Sequence, residues 1–132
     1  MSFVKNYLIA IVIFTVIDLV WLVFISRKLY QEKLGHLMAP KVNFAAAAVF
    51  YLLFIAGMVF FVINPAVEKQ SVLYALGAGA FFGLITYATY DLTNLATLKD
   101  WPVSITIIDL IWGSFVTSAT SALSTWVSGR FS

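Results

Sequence analysis

The chain has 132 residues, of which 62% are hydrophobic and 11% charged, and its mean hydropathy is +0.98. A soluble domain of this size has too little interior to hide that much apolar surface, so the expected solvent is the bilayer and the expected count is one domain. Zero cysteines exclude disulfides, thiolate metal sites and cysteine nucleophiles, a single histidine argues against a histidine-based metal site or dyad, and a net charge of +2 scattered over the loops argues against nucleic acid as a partner.

A spanning helix needs about 20 mostly apolar residues. Four segments qualify, at residues 3–26, 43–64, 71–98 and 102–128, and they predict an all-α integral membrane bundle of four transmembrane helices. The runs are long and continuous, which favours helices over the short alternating strands of a barrel. The first run is too long for a signal core and contains Asp18, so it reads as a retained membrane helix.

The first connection, Arg27–Val42, mixes charges with Leu29, Tyr30, Leu34, Leu37 and Met38 and reads as an amphipathic interfacial stretch. The second span carries no charge and reads as a lipid-facing or dimer-facing wall. Asn64-Pro65 opens a tight link to the third span. On that span Ala75, Gly79 and Gly83 recur every four residues, the spacing that lets helix backbones approach; Ala45 and Val49 repeat the pattern more weakly on the second. Lys99-Asp100-Trp101-Pro102 reads as a sharp turn with Trp101 at headgroup level. The first and third loops carry more Lys and Arg than the opposite side, which puts them in the cytoplasm and both termini outside; the bias is small enough to leave room for dual insertion.

Three aspartates interrupt these spans: Asp18, Asp91 and Asp109. A carboxylate at the bilayer centre costs about 2.5–3.5 kcal/mol on insertion scales, so intramembrane acids generally face the bundle interior and serve a function. Two of them sit in near copies of one phrase, Thr15–Trp21 (TVIDLVW) and Thr106–Trp112 (TIIDLIW). At helical rise each acid lies roughly 10–13 Å in from the face bearing the first and third loops. Residues three or four apart share a helix face. Thr15, Asp18 and Trp21 align on the first span, and Tyr87, Tyr90, Asp91 and Asn94 on the third. On the fourth, Thr106, Asp109, Gly113, Thr117, Thr120 and Ser124 form a polar or small stripe flanked by Trp112.

Equal depth and shared faces predict one acidic-aromatic cavity that binds or moves a small solute, cation or proton. Its expected residues are Asp18, Asp91, Asp109, Asn94, Trp21, Trp112, Tyr87, Tyr90, Thr15 and Thr106. Three close carboxylates cannot all remain ionised in a low dielectric without cations. Aromatic walls suit an organic cation and an oxygen-only set suits a hard metal, but the spacing selects neither, so no metal site and no cofactor is assigned. Two other readings compete. One is a membrane enzyme that uses a carboxylate as acid or base on a lipid or isoprenoid. The other is an accessory subunit whose acids pair with a partner's Arg or Lys in the membrane. The blander reading of the Ser/Thr stripe is simple helix packing. Four helices are few for a complete pathway, which makes a homodimer or a membrane-protein partner the expected assembly.

Phe50–Gly57 (FYLLFIAG), Tyr87–Pro102 (YATYDLTNLATLKDWP) and Ile108–Gly113 (IDLIWG) resemble the membrane family catalogued as domain of unknown function two-one-seven-seven, with Asp18–Trp21 (DLVW) and Leu34–Met38 (LGHLM) fitting it too. The resemblance covers nearly the whole chain and implies a multi-pass protein of four helices in the bacterial inner membrane. It brings no established activity, so no functional residue is carried over from it; a place for Leu34–Met38 in the family signature gives His36 added weight.

Overall fold

The spans are helical because their apolar runs have nothing in the bilayer to satisfy a backbone N–H or C=O except the helix itself. A computed structural model describes residues 2–35 and 44–130 of the chain; His36, Pro40 and Lys41, with the rest of the second half of the first loop, lie outside them. In chain order the elements are α1 (Ser2–Trp21), α2 (Arg27–Leu34), α3 (Phe44–Met58), α4 (Asn64–Lys69), α5 (Val72–Thr97) and α6 (Val103–Arg130). Single π turns, Leu22–Ser26 and Val59–Ile63, join α1 to α2 and α3 to α4 without breaking the rod. Among the described residues, four stretches are long and apolar enough to cross a membrane: Phe3–Phe24, Phe44–Lys69, Val72–Thr97 and Val103–Arg130. The protein is thus an all-α, multi-pass membrane bundle.

The second span departs from expectation at both ends of the argument. Asn64-Pro65 does not leave the helix. The π turn ends at Ile63, and Pro65 occupies the first turn of α4, where a missing N–H is harmless. The chain turns six residues later, where Gln70 adopts φ 51° and its N–H reaches back to the Ala66 and Val67 carbonyls. Ser71 then caps α5 by accepting from the Tyr74 N–H at 2.9 Å.

Nor is this span merely a lipid-facing wall. Phe54, Ile55, Met58, Val59 and Ile63 are buried with Ala10 and Phe14 of α1 and Val116 of α6, and together they form the main core. The first half of α3 is exposed, Ala45 and Val49 included, and Leu52 and Leu53 also point outward. The reason is aromatic. Phe14 meets Tyr51 and Phe54 edge-on, with centroids 5.1 and 5.5 Å apart, and this draws the second span inward from Tyr51 onward. Phe24, Leu53, Leu73, Phe81 and Ile111 instead point outward, as side chains solvated by lipid do.

The most extensive helix pair is α5 with α6, followed by α1 with α6. The Ala75–Gly79–Gly83 repeat makes the first possible. A Cβ at Gly79 would meet Ser121 Oγ at 2.9 Å, and one at Gly83 would meet the Gly113 carbonyl oxygen at 2.2 Å. Backbone therefore touches backbone, and the Ser118 hydroxyl donates across the pair to the Leu76 carbonyl at 2.8 Å.

The far end is held by polar contacts. Asn6, 1% exposed, donates from Nδ2 to Asn64 Oδ1 at 2.7 Å and accepts at Oδ1 from the buried Ser128 hydroxyl. Lys5 Nζ donates to the Ser128 carbonyl at 3.4 Å. Asn6→Ala strips two buried partners at once. We expect it to lower the detergent melting midpoint, with a loss of about 1–3 kcal/mol. A double-mutant cycle with Ser128→Ala checks the assignment: the two substitutions should be clearly non-additive.

Candidate functional site

The α5–α6 register sets the acidic centre. Gly83 rests on Thr117, and one turn later the Tyr87 ring rests on Gly113. Continued for a further turn, the same antiparallel register puts Asp91 of α5 at the level of Asp109 of α6. Asp91 is fully buried, and neither carboxylate oxygen has a hydrogen-bond partner. Asp109 is 7% exposed.

Asp18 reaches α6 from α1. Its carboxylate accepts a hydrogen bond from the Trp112 indole. Trp112 in turn stacks on Trp21, with centroids 4.3 Å apart and planes inclined by 10°. Asp18 and Trp21, three apart on α1, thus grip one indole by its N–H and by its face. The duplicated phrase is what makes this possible: its two copies run antiparallel on α1 and α6, and each ends in one of the stacked tryptophans.

Tyr87 lies within electrostatic reach of Asp18, Tyr51 and Asp91. Asp18 and Asp91 thus approach the same tyrosine ring from α1 and α5. Among the described residues no three acidic or histidine side chains converge to hold a metal ion.

The remaining expected residues divide by what they touch. Thr15 accepts from the Tyr51 hydroxyl at 3.2 Å, which ties α1 to α3 beside Asp18. Asn94 donates to Tyr90 one turn back along α5, and Tyr90 is 60% exposed, so this pair rims the bundle. Thr106 accepts from the Trp101 indole N–H at 3.0 Å. That bond turns the Trp101 ring inward. The ring is 8% exposed, folded in against Ile105, Leu29 and Leu95, and it meets Tyr90 edge-on with centroids 6.0 Å apart. It closes the bundle beneath the acids. Sequence reasoning missed this inward turn because the acceptor of an indole N–H is not legible from its neighbours in the chain. It also missed Tyr51, whose hydroxyl was the signal in an otherwise apolar span.

The α6 hydroxyls extend the site. Thr117, Thr120, Ser121 and Ser124 are fully buried, and none of their oxygens has a hydrogen-bond partner. Helical Ser and Thr commonly satisfy themselves on the carbonyl a turn back, and Thr86, Thr89, Thr97 and Ser114 do so here at 2.8–2.9 Å. The inward hydroxyls of α6 do not. Beside Tyr87 and Tyr90 a cavity of about 330 Å³ opens laterally, lined by Phe50 and Thr86 as well.

No curated protein and no solved structure matches the chain. The family model described as "Predicted membrane protein (DUF2177)" matches residues 3–126, almost the full length, and the protein belongs to that family.

Proposed function

We propose that this protein, in the bacterial inner membrane and as a homodimer, binds a proton or small cation at Asp91 and Asp109 and moves it across the bilayer. The observation that carries this reading is Asp91, a fully buried carboxylate with both oxygens unpartnered at the closest helix pair of the bundle. Buried polar atoms are nearly always paired in folded proteins, and an exception calls for a ligand, a proton or water. Asp109 at the same level of α6 supplies a second oxygen donor, and the unpaired α6 hydroxyls supply neutral ones. Asp18 has its own partner in Trp112 and belongs to the wall of the site, with Trp21 and Tyr87. The homodimer is part of this reading because four helices are few to enclose a complete pathway.

The test is flux into proteoliposomes under an imposed pH gradient, followed with an internal pH dye and with a labelled small organic cation. Wild-type protein is expected to accelerate one of the two. Asp91→Asn should cut that rate by roughly two orders of magnitude, the effect expected when a charge-bearing group is lost from a binding site. Unchanged flux in Asp91→Asn overturns the assignment.

A second reading, a membrane enzyme acting on a lipid or isoprenoid, is favoured by the lateral cavity at Phe50, Thr86, Tyr87 and Tyr90. A changed lipid profile in a deletion strain, restored by wild type but not by Asp91→Asn, would favour it over transport.

A further inference from the structure

The buried side of α6 carries a file of hydroxyls that runs on past the acids. At about 100° per residue, Thr117, Ser121, Ser124 and Ser128 fall within roughly 60° of one another around the helix. Thr117 Oγ1 and Ser121 Oγ project into the seam with α5, standing 2.6 and 2.9 Å from where a Cβ would sit on Gly83 and Gly79. We infer that the α5–α6 seam is a gate. It is shut in this structure, and its opening admits a single file of water that joins the acids to the membrane face at Asn6, Asn64 and Ser128. The inference rests on the exchange of a proton or small cation at Asp91 proposed above, and it supplies the route.

The shut seam leaves its hydroxyls dry. Thr117, Ser121 and Ser124 are 0% exposed, and their oxygens have no partner in the protein. Thr86, Thr89 and Ser114 show the alternative open to a helical hydroxyl, which is to bond the carbonyl a turn back. A buried hydroxyl without a partner is costly, and water is the ligand that removes the cost, because each hydroxyl both donates and accepts. The spacing fits water as well. Steps of three or four residues separate neighbouring hydroxyls by about 4.5–6 Å along the axis. Two hydrogen bonds through one water span a similar distance.

The seam is also built to part. Ala75, Gly79 and Gly83 give α5 a smooth buried face, with no large side chain inserted between the helices. Ser118, half-exposed, bridges to the Leu76 carbonyl. From Asp109 to Ser128 the polar line runs about 28 Å at helical rise, close to the thickness of a bilayer's hydrocarbon core. It ends at the joint where the Ser128 hydroxyl donates to Asn6 and Asn6 donates to Asn64. Val116 lies beside Thr117 in sequence but belongs to the apolar core with Phe14 and Phe54, which marks the dry side of the same helix.

The chain has no cysteine, so single thiols can report water directly. Ser121→Cys, Ser124→Cys and Val116→Cys are each reconstituted and treated with a membrane-impermeant maleimide, and each rate is divided by that of the same variant unfolded in SDS. All three positions are fully buried here, so a protein that stays shut labels them equally slowly. The gate is expected to make the two seam thiols react at least about tenfold faster than Val116→Cys, as local opening of one seam would. Equal rates at all three, slow or fast, overturn it. Hydrogen exchange of the unsubstituted protein in nanodiscs gives a reading free of mutation: residues 117–128 should exchange faster than residues 50–58, and the reverse order also overturns the gate. Labelling needs no transport. Fast seam thiols without flux in proteoliposomes uphold the gate and remove the transport reading, whereas flux with seam thiols as slow as Val116→Cys removes the gate alone.

Discussion

Gly83→Ala is expected to be among the most damaging single-methyl changes in this protein. The added Cβ would stand 2.2 Å from the Gly113 carbonyl oxygen and 2.6 Å from Thr117 Oγ1. The threonine can rotate away, but the carbonyl is helix backbone and cannot. To admit the methyl, α5 and α6 must separate, and the separation propagates along their shared face. Overpacking of this kind costs about 1–3 kcal/mol when only side chains shift, and a backbone clash at the closest helix pair belongs at the upper end or beyond. Gly77 supplies the control on the same helix. A Cβ there meets nothing within 4 Å, so Gly77→Ala relieves the entropic penalty of glycine and should leave stability equal or slightly raised. Gly113→Ala should resemble Gly83→Ala, because its Cβ would lie 2.3 Å from Tyr87 Cγ, the root of a ring that cannot swing clear. Melting midpoints of the purified variants in one detergent measure all three. A Gly83→Ala midpoint equal to that of wild type would show that the two helices are not in backbone contact, and would remove the register on which Asp91 and Asp109 share a level.

That register marks the boundary of what could be read from residues alone. The four spans follow from apolar run length, which is local. The approach of α5 to another helix follows from Ala75, Gly79 and Gly83, also a local pattern, but nothing in it says which helix approaches. The partner is set by Gly113 and the small hydroxyl residues of α6, whose complement is visible only when both faces are in hand. The same limit applies to the acids. Depth along a helix is legible at 1.5 Å per residue, and it places Asp18, Asp91 and Asp109 at similar levels. The angle about the helix axis, relative to neighbours of unknown order, is not legible, and it is the angle that brings Asp18 to Trp112 and buries Asp91. The burial of Trp101 and of the inner half of the second span is hidden from the sequence for a related reason. Hydropathy reports preference for an apolar surrounding and does not distinguish lipid from protein, which are equally apolar. Asn6, Asn64 and Ser128 are unremarkable singly, and become a joint only because three helix ends meet.

Asp91→Val separates function from stability at the residue on which the proposal rests. The side chains are similar in size and branching, so the change removes two unpartnered buried oxygens without opening a large cavity. An unsatisfied buried polar group costs about 1–3 kcal/mol, and apolar replacement of buried ionisable groups is often stabilising by about 1–4 kcal/mol. Asp91→Val is therefore expected to melt higher than wild type while losing flux in proteoliposomes, the exchange expected where a site is kept polar for its ligand. Asp18→Val should behave oppositely. Its carboxylate accepts from Trp112, so its loss leaves an indole N–H without an acceptor and loosens the Trp21–Trp112 stack. That variant should melt lower than wild type, and its flux should fall only as far as the wall of the site is disturbed. The pair of melting curves discriminates between a carboxylate retained for a ligand and one retained for a helix contact. If Asp91→Val melts below wild type by as much as Asp18→Val, Asp91 has a structural partner of its own and the case for a ligand at that carboxylate is lost.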